Sequence, residues 1–285
     1  MSAQVHTLRI GDRVLELSER PVMGILNVTP DSFFDGGEYN SVEAALSQCQ
    51  RMLSEGAAII DIGANSSRPG SEPVSPEREL ELLDPIVRAI LERHPDLFIS
   101  IDTFRHQVAD EMLNLGAQII NDISAGDDDP EMLNVIAHHK ATYIAMHKQG
   151  STKDMQLAPQ YSDVLNEVQK YFISKVGQFE KHGITEFVID PGFGFGKTVE
   201  HNYRLLKHLR SFSDVFRRPV LAGISRKSMI NRVLGIKPQD ALNGTSVLNT
   251  IALMNGADIL RVHDVKEAVE VVKLVRALEG DGAAA

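Results

Sequence analysis

FISIDTFRHQVADEMLNLGAQIINDI, residues 98–123, decides the fold. FISID and IINDI are short apolar blocks of strand length, and RHQVADEMLNLG between them spaces its apolar residues at a helical period and closes on a glycine. Continuous apolar blocks suit strands buried on both faces, and glycine suits a helix C-terminus. The stretch is therefore a strand, a helix and a second strand, and the same unit repeats in both directions. Strands are expected at 21–28, 59–64, 98–102, 119–123, 142–147, 187–190, 219–225 and 259–263. Amphipathic segments such as SPERELELLDPIVRAILERH (75–94) and VKEAVEVVKLVRALEG (265–280) lie between them. Eight strands and eight helical segments predict a (β/α)8 TIM barrel of the α/β class, although an open doubly wound sheet uses the same units. The start differs: TLRIGDRVLELS (7–18) alternates apolar residues around Gly11-Asp12, the pattern of a β-hairpin placed to plug the barrel floor. The expected organisation is a hairpin extension at 1–18, one barrel at 19–279 and a frayed tail at 280–285.

The chain has 285 residues and a formal charge of −10, which argues against nucleic acid as a partner. With 43% apolar and 24% charged residues it has the composition of an ordinary globular protein able to build a large core. Cys49 is the single cysteine, so no internal disulfide is possible. The N-terminal residues carry no secretory apolar region, and no apolar run approaches the ~20 residues of a membrane span. These features predict a cytoplasmic protein with no membrane partner.

In a barrel of this kind chemistry gathers at the C-terminal strand ends. Polar residues collect there: Asn27, Asp102, Asn121 and Asp122, His147, Asp190, the run Ser225-Arg226-Lys227, and Arg261 with His263. Each has a plainer reading. Asp102 could cap the helix after it, Asp190 could shape the turn at Pro191-Gly192, and His147 and His263 could be core histidines. Asn121 opposes strand propensity and needs a polar partner in the core. Lys227 opens a helical stretch whose dipole disfavours a cation, which favours a binding role.

Two loops add to the rim. NVTPDSFFDGGEYNS after the first barrel strand holds Phe33 and Phe34 among turn formers, as a lid over a ligand would, or as a loop packed on itself. NSSRPGSEPVS after the second combines Arg68 with hydroxyls and prolines, suited to an anion, or simply forms a helix entry capped by Ser75. PGFGFGKT (191–198) looks like a phosphate loop, but Gly192 and Gly196 enclose three residues where a P-loop needs four, and GxGxxG fails too. What remains is a glycine-rich strand exit with an aromatic face suited to a planar ring.

ILNVTPDSFFDGG, the Ser-Arg-Pro-Gly loop, SIDT, NDI, DPGFGFGKT, SRK and RVHD stand in the order and spacing of the dihydropteroate synthase family, which the chain resembles over about residues 19–279. The resemblance implies a TIM barrel that joins p-aminobenzoate to 6-hydroxymethyl-7,8-dihydropterin pyrophosphate, giving 7,8-dihydropteroate and pyrophosphate in folate synthesis. It implies that Asp102, Asn121, Asp190 and Lys227 hold the pterin, that Asn27 is a Mg²⁺ ligand, and that Ser67, Arg68, Arg261 and His263 serve the pyrophosphate or the loops. Asp35 and Asp102 would lie near a developing positive charge. The aminobenzoate would lie among Phe33, Ser67, Pro69 and Phe195, with its carboxylate at Ser228 and the following helix N-terminus. A homodimer is implied by the family alone. Loop two departs from the usual Gly-Glu-Ser-Thr-Arg, with Asn65 for Glu and Ser67 for Thr, and Lys148 stands where Met is common. Two alternatives are a pterin-barrel methyltransferase, which gives no reason for the lid or for SRK, and a catalytically silent pterin-binding paralogue, which would not need the anion clamp. A Schiff-base aldolase using Lys227 is a third.

Overall fold

The computed structural model describes residues 7–28, 38–64, 74–150 and 159–280. Strands β1 (Thr7–Ile10) and β2 (Arg13–Glu16) pair antiparallel around Gly11-Asp12, with Thr7 opposite Glu16. Gly11 takes the left-handed conformation the turn needs. The barrel strands are β3 (Val22–Asn27), β4 (Ile59–Gly63), β5 (Phe98–Asp102), β6 (Ile119–Asp122), β7 (Thr142–Met146), β8 (Phe187–Asp190), β9 (Leu221–Ala222) and β10 (Ile259–Val262). They pair in parallel in the order β8-β7-β6-β5-β4-β3-β10-β9, and a bridge between Ile189 and Val220 joins the two ends into a barrel. This settles the choice against an open sheet.

The expected strand at 219–225 is shorter in the ladder. Pro219 has no N–H to donate, and the Val220 N–H goes to the Asp258 carboxylate at 2.9 Å.

The helices are α1 (Glu38–Glu55), α2 (Pro76–Arg93), α3 (His106–Leu115), α4 (Met132–His139), α5 (Val164–Lys181), α6 (Val199–Lys207), α7 (Arg210–Phe216), α8 (Ser228–Leu234), α9 (Leu242–Met254) and α10 (Val265–Glu279). Two turns contain two helices each, so the described residues form ten and not eight. Gly235 in the left-handed region and Pro238 shortly after it end α8 before α9 begins. Starts are capped as the residue types dictate: Ser75 accepts from Arg78 N–H, Asp163 from Leu165 and Asn166, and Thr198 with His201 closes a capping box.

Successive strand residues point alternately outward and inward. Outward residues such as Ile60, Ile62, Ile99, Ile101, Ile120 and Leu260 join the layer between strands and helices. The lowest inward residues, Met23, Ile59, Ile119, Ile144, Val188, Leu221 and Ile259, pack with Leu8, Ile10, Leu15 and Leu17 of the hairpin. The hairpin does plug the floor, and the Thr142 hydroxyl fastens it by donating to Arg9 O at 2.9 Å. Two residues further along β4, β6, β8 and β10 the interior turns polar: Asp61, Asn121, Asp190 and Arg261.

Candidate active site

Asp61 is fully buried and sits at the centre of this polar layer. Its carboxylate accepts from Ser100 Oγ at 2.6 Å, Asn121 Nδ2 at 3.1 Å and Arg261 Nε at 2.7 Å. Arg261 also donates through Nη2 to Asp102 at 2.6 Å, so one guanidinium bridges two carboxylates. Burial alone would lower the pKa of Arg261, but Asp61 and Asp102 outweigh it and raise it. Burial pushes Asp102 up to about 7, with Arg261 pulling the other way and Asp61 adding to the rise. Asp102 does not cap α3. Arg105 occupies that cap position, its own guanidinium turned to Glu79 and Val74 O.

A second group lies beside the first at the mouth. Asp190 ends β8 and accepts from Gly192 N–H through Oδ1 at 2.7 Å, so it shapes the turn and also faces the barrel. Lys227 donates to Phe193 O at 2.6 Å and sits 4.6 Å from the centre of the Phe195 ring. A Cβ added to Gly223 would lie 3.7 Å from Lys227 Nζ and 3.8 Å from Asp190 Oδ2, so glycine leaves space where the two charges meet. Burial raises the pKa of Asp190 against the pull of Lys227, and burial lowers Lys227 to about 8 against the pull of Asp190. Lys227 stands at the N-cap of α8 with no side-chain capping bond, and Ser228 is the first helical residue.

Arg226 takes a positive φ of 57° and pairs bidentately with Asp264 at 2.8 and 2.7 Å. That pair ties the residue before Lys227 to the residue after His263. His263 stands at the rim with its ring partly buried, Ser225 Oγ lying 3.0 Å from Nδ1. Desolvation of the ring and then the Arg261 charge lower its pKa to about 4, leaving a neutral imidazole at pH 7.

The geometry thus gathers a carboxylate, an ammonium, a guanidinium and an imidazole on or just beyond three neighbouring strands, β8, β9 and β10, at one part of the mouth. The family model for pterin binding enzymes matches residues 23–263. The dihydropteroate synthase of Escherichia coli (strain K12) is 47% identical over 265 residues, 92% of this chain and 93% of that protein. The chain belongs to the dihydropteroate synthase family. Among solved structures, the Yersinia pestis dihydropteroate synthase in complex with a sulfonamide drug matches with a TM-score of 0.90 and 43% identity, covering 96% of this chain and 99% of that one. The Xanthomonas albilineans dihydropteroate synthase with 4-aminobenzoic acid matches with a TM-score of 0.89 and 37% identity, covering 98% and 99%.

For this member of the dihydropteroate synthase family, the structure brings Asn121, Asp102 and Arg261 into one network and Asp190, Lys227 and Phe195 into another. Asn27 is exposed at the end of β3. Phe33, Phe34, Asp35, Asn65, Ser67, Arg68 and Pro69 lie outside the described residues, as does the tail from 281. Lys148, the departure with no assigned role, pairs with Asp128. His147 is buried beside Lys197, and burial followed by that charge lowers its pKa to about 2.

Asp61 is the residue the sequence reading missed. Its signal was present: an acid inside the apolar strand IIDIG, at the inward phase shared with Asn121. Asp122, by contrast, points outward and accepts from Tyr143 OH, Ser124 and Gly126, which fixes the loop after β6.

Proposed function

We propose that the protein condenses p-aminobenzoate with 6-hydroxymethyl-7,8-dihydropterin pyrophosphate, giving 7,8-dihydropteroate and pyrophosphate. The observation that carries this reading is the opposition of Asp190 and Lys227 around the space left by Gly223, within a family of this activity. An aminopyrimidine edge presents two parallel donors that a carboxylate accepts bidentately, while the ring acceptors suit an ammonium. Asp190 Oδ2 has no donor among the described residues and would take that edge, with Asn121 and Asp102 on the remaining ring atoms.

In this reading the bond from the pterin methylene carbon to the diphosphate oxygen breaks first. The diphosphate leaves with the bonding pair, and the resulting cation is delocalised over the dihydropterin. The amine of p-aminobenzoate then forms the new C–N bond and loses a proton. Arg261 and His263, together with Ser67 and Arg68, would bind the departing anion, and Asp35 and Asp102 would lie near the developing positive charge. The aminobenzoate ring would pack among Phe33, Pro69, Ser67 and Phe195, with its carboxylate at Ser228.

Among the described residues no group of three or more His, Cys, Asp or Glu could hold a metal. A lone exposed amide oxygen on Asn27 fits Mg²⁺, which keeps several waters and takes substrate phosphate oxygens as ligands. When bound there it would supply charge neutralisation to the leaving group.

The proposal extends to a homodimer. Val247, Ile251 and Met254 form one exposed stripe on α9, Leu274 and Leu278 another on α10, and Val233 and Leu234 are exposed on α8. No helix among the described residues is long and apolar enough to cross a membrane, and we place the enzyme in the cytoplasm, where the buried Cys49 would stay reduced. The test is to mix the protein with the pterin pyrophosphate, p-aminobenzoate and Mg²⁺ and to measure dihydropteroate and released pyrophosphate. Pterin binding without pyrophosphate release would instead identify the silent paralogue.

A further inference from the structure

The glycine loop 192–196 carries much of the pterin-facing geometry, because it supplies the N–H that orients Asp190, the carbonyl that holds Lys227 and the Phe195 ring beneath that ammonium. The loop closes on itself through one turn bond, Phe195 N–H to Gly192 O at 3.1 Å, and Gly194 N–H donates to Asn202 Oδ1 at 2.7 Å, but neither bond ties it to the strand exit beside it. Gly192, Gly194 and Gly196 all take positive φ, where the backbone samples many alternatives. Its seat is the backbone leaving β7: a Cβ on Gly192 would fall 1.9 Å from His147 O, and one on Gly196 would fall 2.4 Å from Gln149 O. Such close approach needs something to hold the two segments together.

The group between them is Lys197. It is buried, and its Nζ lies 2.9 Å from Gly192 O, 3.0 Å from Phe195 O, 3.2 Å from His147 O and 3.0 Å from His147 Nδ1. An ammonium has three N–H donors, which are shared among four acceptors: two carbonyl oxygens on the loop, and His147 O and Nδ1 on its seat. Burial pulls the pKa of Lys197 down to about 7, opposed by Asp190, and the three carbonyls all favour the charged form. His147, kept neutral, can accept at Nδ1. We propose that Lys197 is a positioning residue that staples the glycine loop to the β7 exit and thereby sets Asp190 and Lys227 for the pterin. It touches the loop backbone and His147, and acts on the ligand only through Asp190, Lys227 and Phe195.

This inference rests on the pterin reading of the site. The experiment uses the full chain as wild type, Lys197→Met and Lys197→Gln, with calorimetric titration of 6-hydroxymethylpterin and, separately, of pyrophosphate with Mg²⁺. The expected result is at least a tenfold loss of pterin affinity in Lys197→Met, with pyrophosphate affinity within twofold, because Arg261 and His263 lie on strands and loops that Lys197 does not touch. Amide exchange at 192–196 should rise in parallel. Lys197→Gln keeps donors for the loop carbonyls and serves if the Met variant does not fold, with the same selective loss expected in smaller degree. Unchanged pterin affinity, or equal losses for both ligands, would overturn the staple and leave Lys197 as general structure. Wild-type protein that binds no pterin would overturn the functional reading as well.

Discussion

Asp61→Ala removes the acceptor shared by Ser100, Asn121 and Arg261, and the cost follows from what each donor is left with. Breaking a buried ion pair costs about 3–5 kcal/mol. The low end applies, because Arg261 keeps Asp102 as a second carboxylate at 2.6 Å. The Ser100 hydroxyl and one Asn121 N–H lose their acceptor in a layer sealed below by the hairpin, and a buried unsatisfied donor costs about 1–3 kcal/mol. Water admitted from the mouth offsets part of this, leaving about 4 kcal/mol. At about 2.1 cal/mol/K of unfolding entropy per residue, a chain of 285 residues would lose roughly 7 °C in Tm. Asp61→Asn keeps the shape and one acceptor, and about half the loss is expected. The assay is urea unfolding followed by far-UV circular dichroism, with the m-value checked for constancy. A loss below about 1 kcal/mol for Asp61→Ala at unchanged m would refute the claim that Asp61 organises the polar layer.

Three further outcomes are expected. Asp190→Asn and Lys227→Met should each weaken pterin binding by about 1.5–3 kcal/mol, the worth of a charged hydrogen bond, with the circular dichroism spectrum unchanged; calorimetry showing full affinity would remove these residues from the pterin site. Burial holds Lys227 near 8, below the ordinary lysine value, so its proton is lost as pH rises through about 8 and pterin affinity should fall above that point. Lys227→Arg should abolish that alkaline limb, and a wild-type profile flat to pH 9.5 would contradict it. Val247→Glu with Leu278→Lys should give a monomer in sedimentation if the α9 and α10 stripes form the dimer face, and an unchanged association state would place the interface elsewhere.

The barrel was legible because both faces of its strands are buried, so eight apolar blocks stand out from the helical periods between them. FISID and FVID match β5 and β8 residue for residue. The strand at 219–225 was harder to read, since PVLAGIS is apolar throughout while its pairing is limited by Pro219 and the exit at Gly223. In the site, Asn121 and Lys227 announced themselves by opposing local preference: an amide in a strand and a cation at a helix start. Asp61 was hidden by position. It lies in the middle of its strand and not at the end, and it is the fold that sets it beside Ser100 and within reach of the Asn121 amide, 60 residues away in sequence. Lys197 was absorbed into the question of whether PGFGFGKT is a phosphate loop, and its contact with His147, 50 residues away in sequence, is a product of the closed barrel.

The same energetics that make Asp61→Ala costly say why the network exists. Removing one partner of a buried charge cluster is expensive, yet replacing a whole cluster by well-packed apolar residues is commonly neutral or stabilising. The barrel already shows how such a layer is built, since one level lower Met23, Ile59, Ile119, Val188 and Ile259 fill the interior without a polar atom among their side chains beyond the Met23 sulfur. Stability alone would extend that packing upward. Instead the next level holds Asp61, Asn121, Asp190 and Arg261, and the hairpin beneath keeps water from reaching them through the floor. With solvent admitted only from the mouth, each charge there interacts strongly with whatever enters. The apolar plug and the polar layer therefore act as a pair: the first withholds water from below, and the second offers donors and acceptors fixed in advance to a ligand arriving from above.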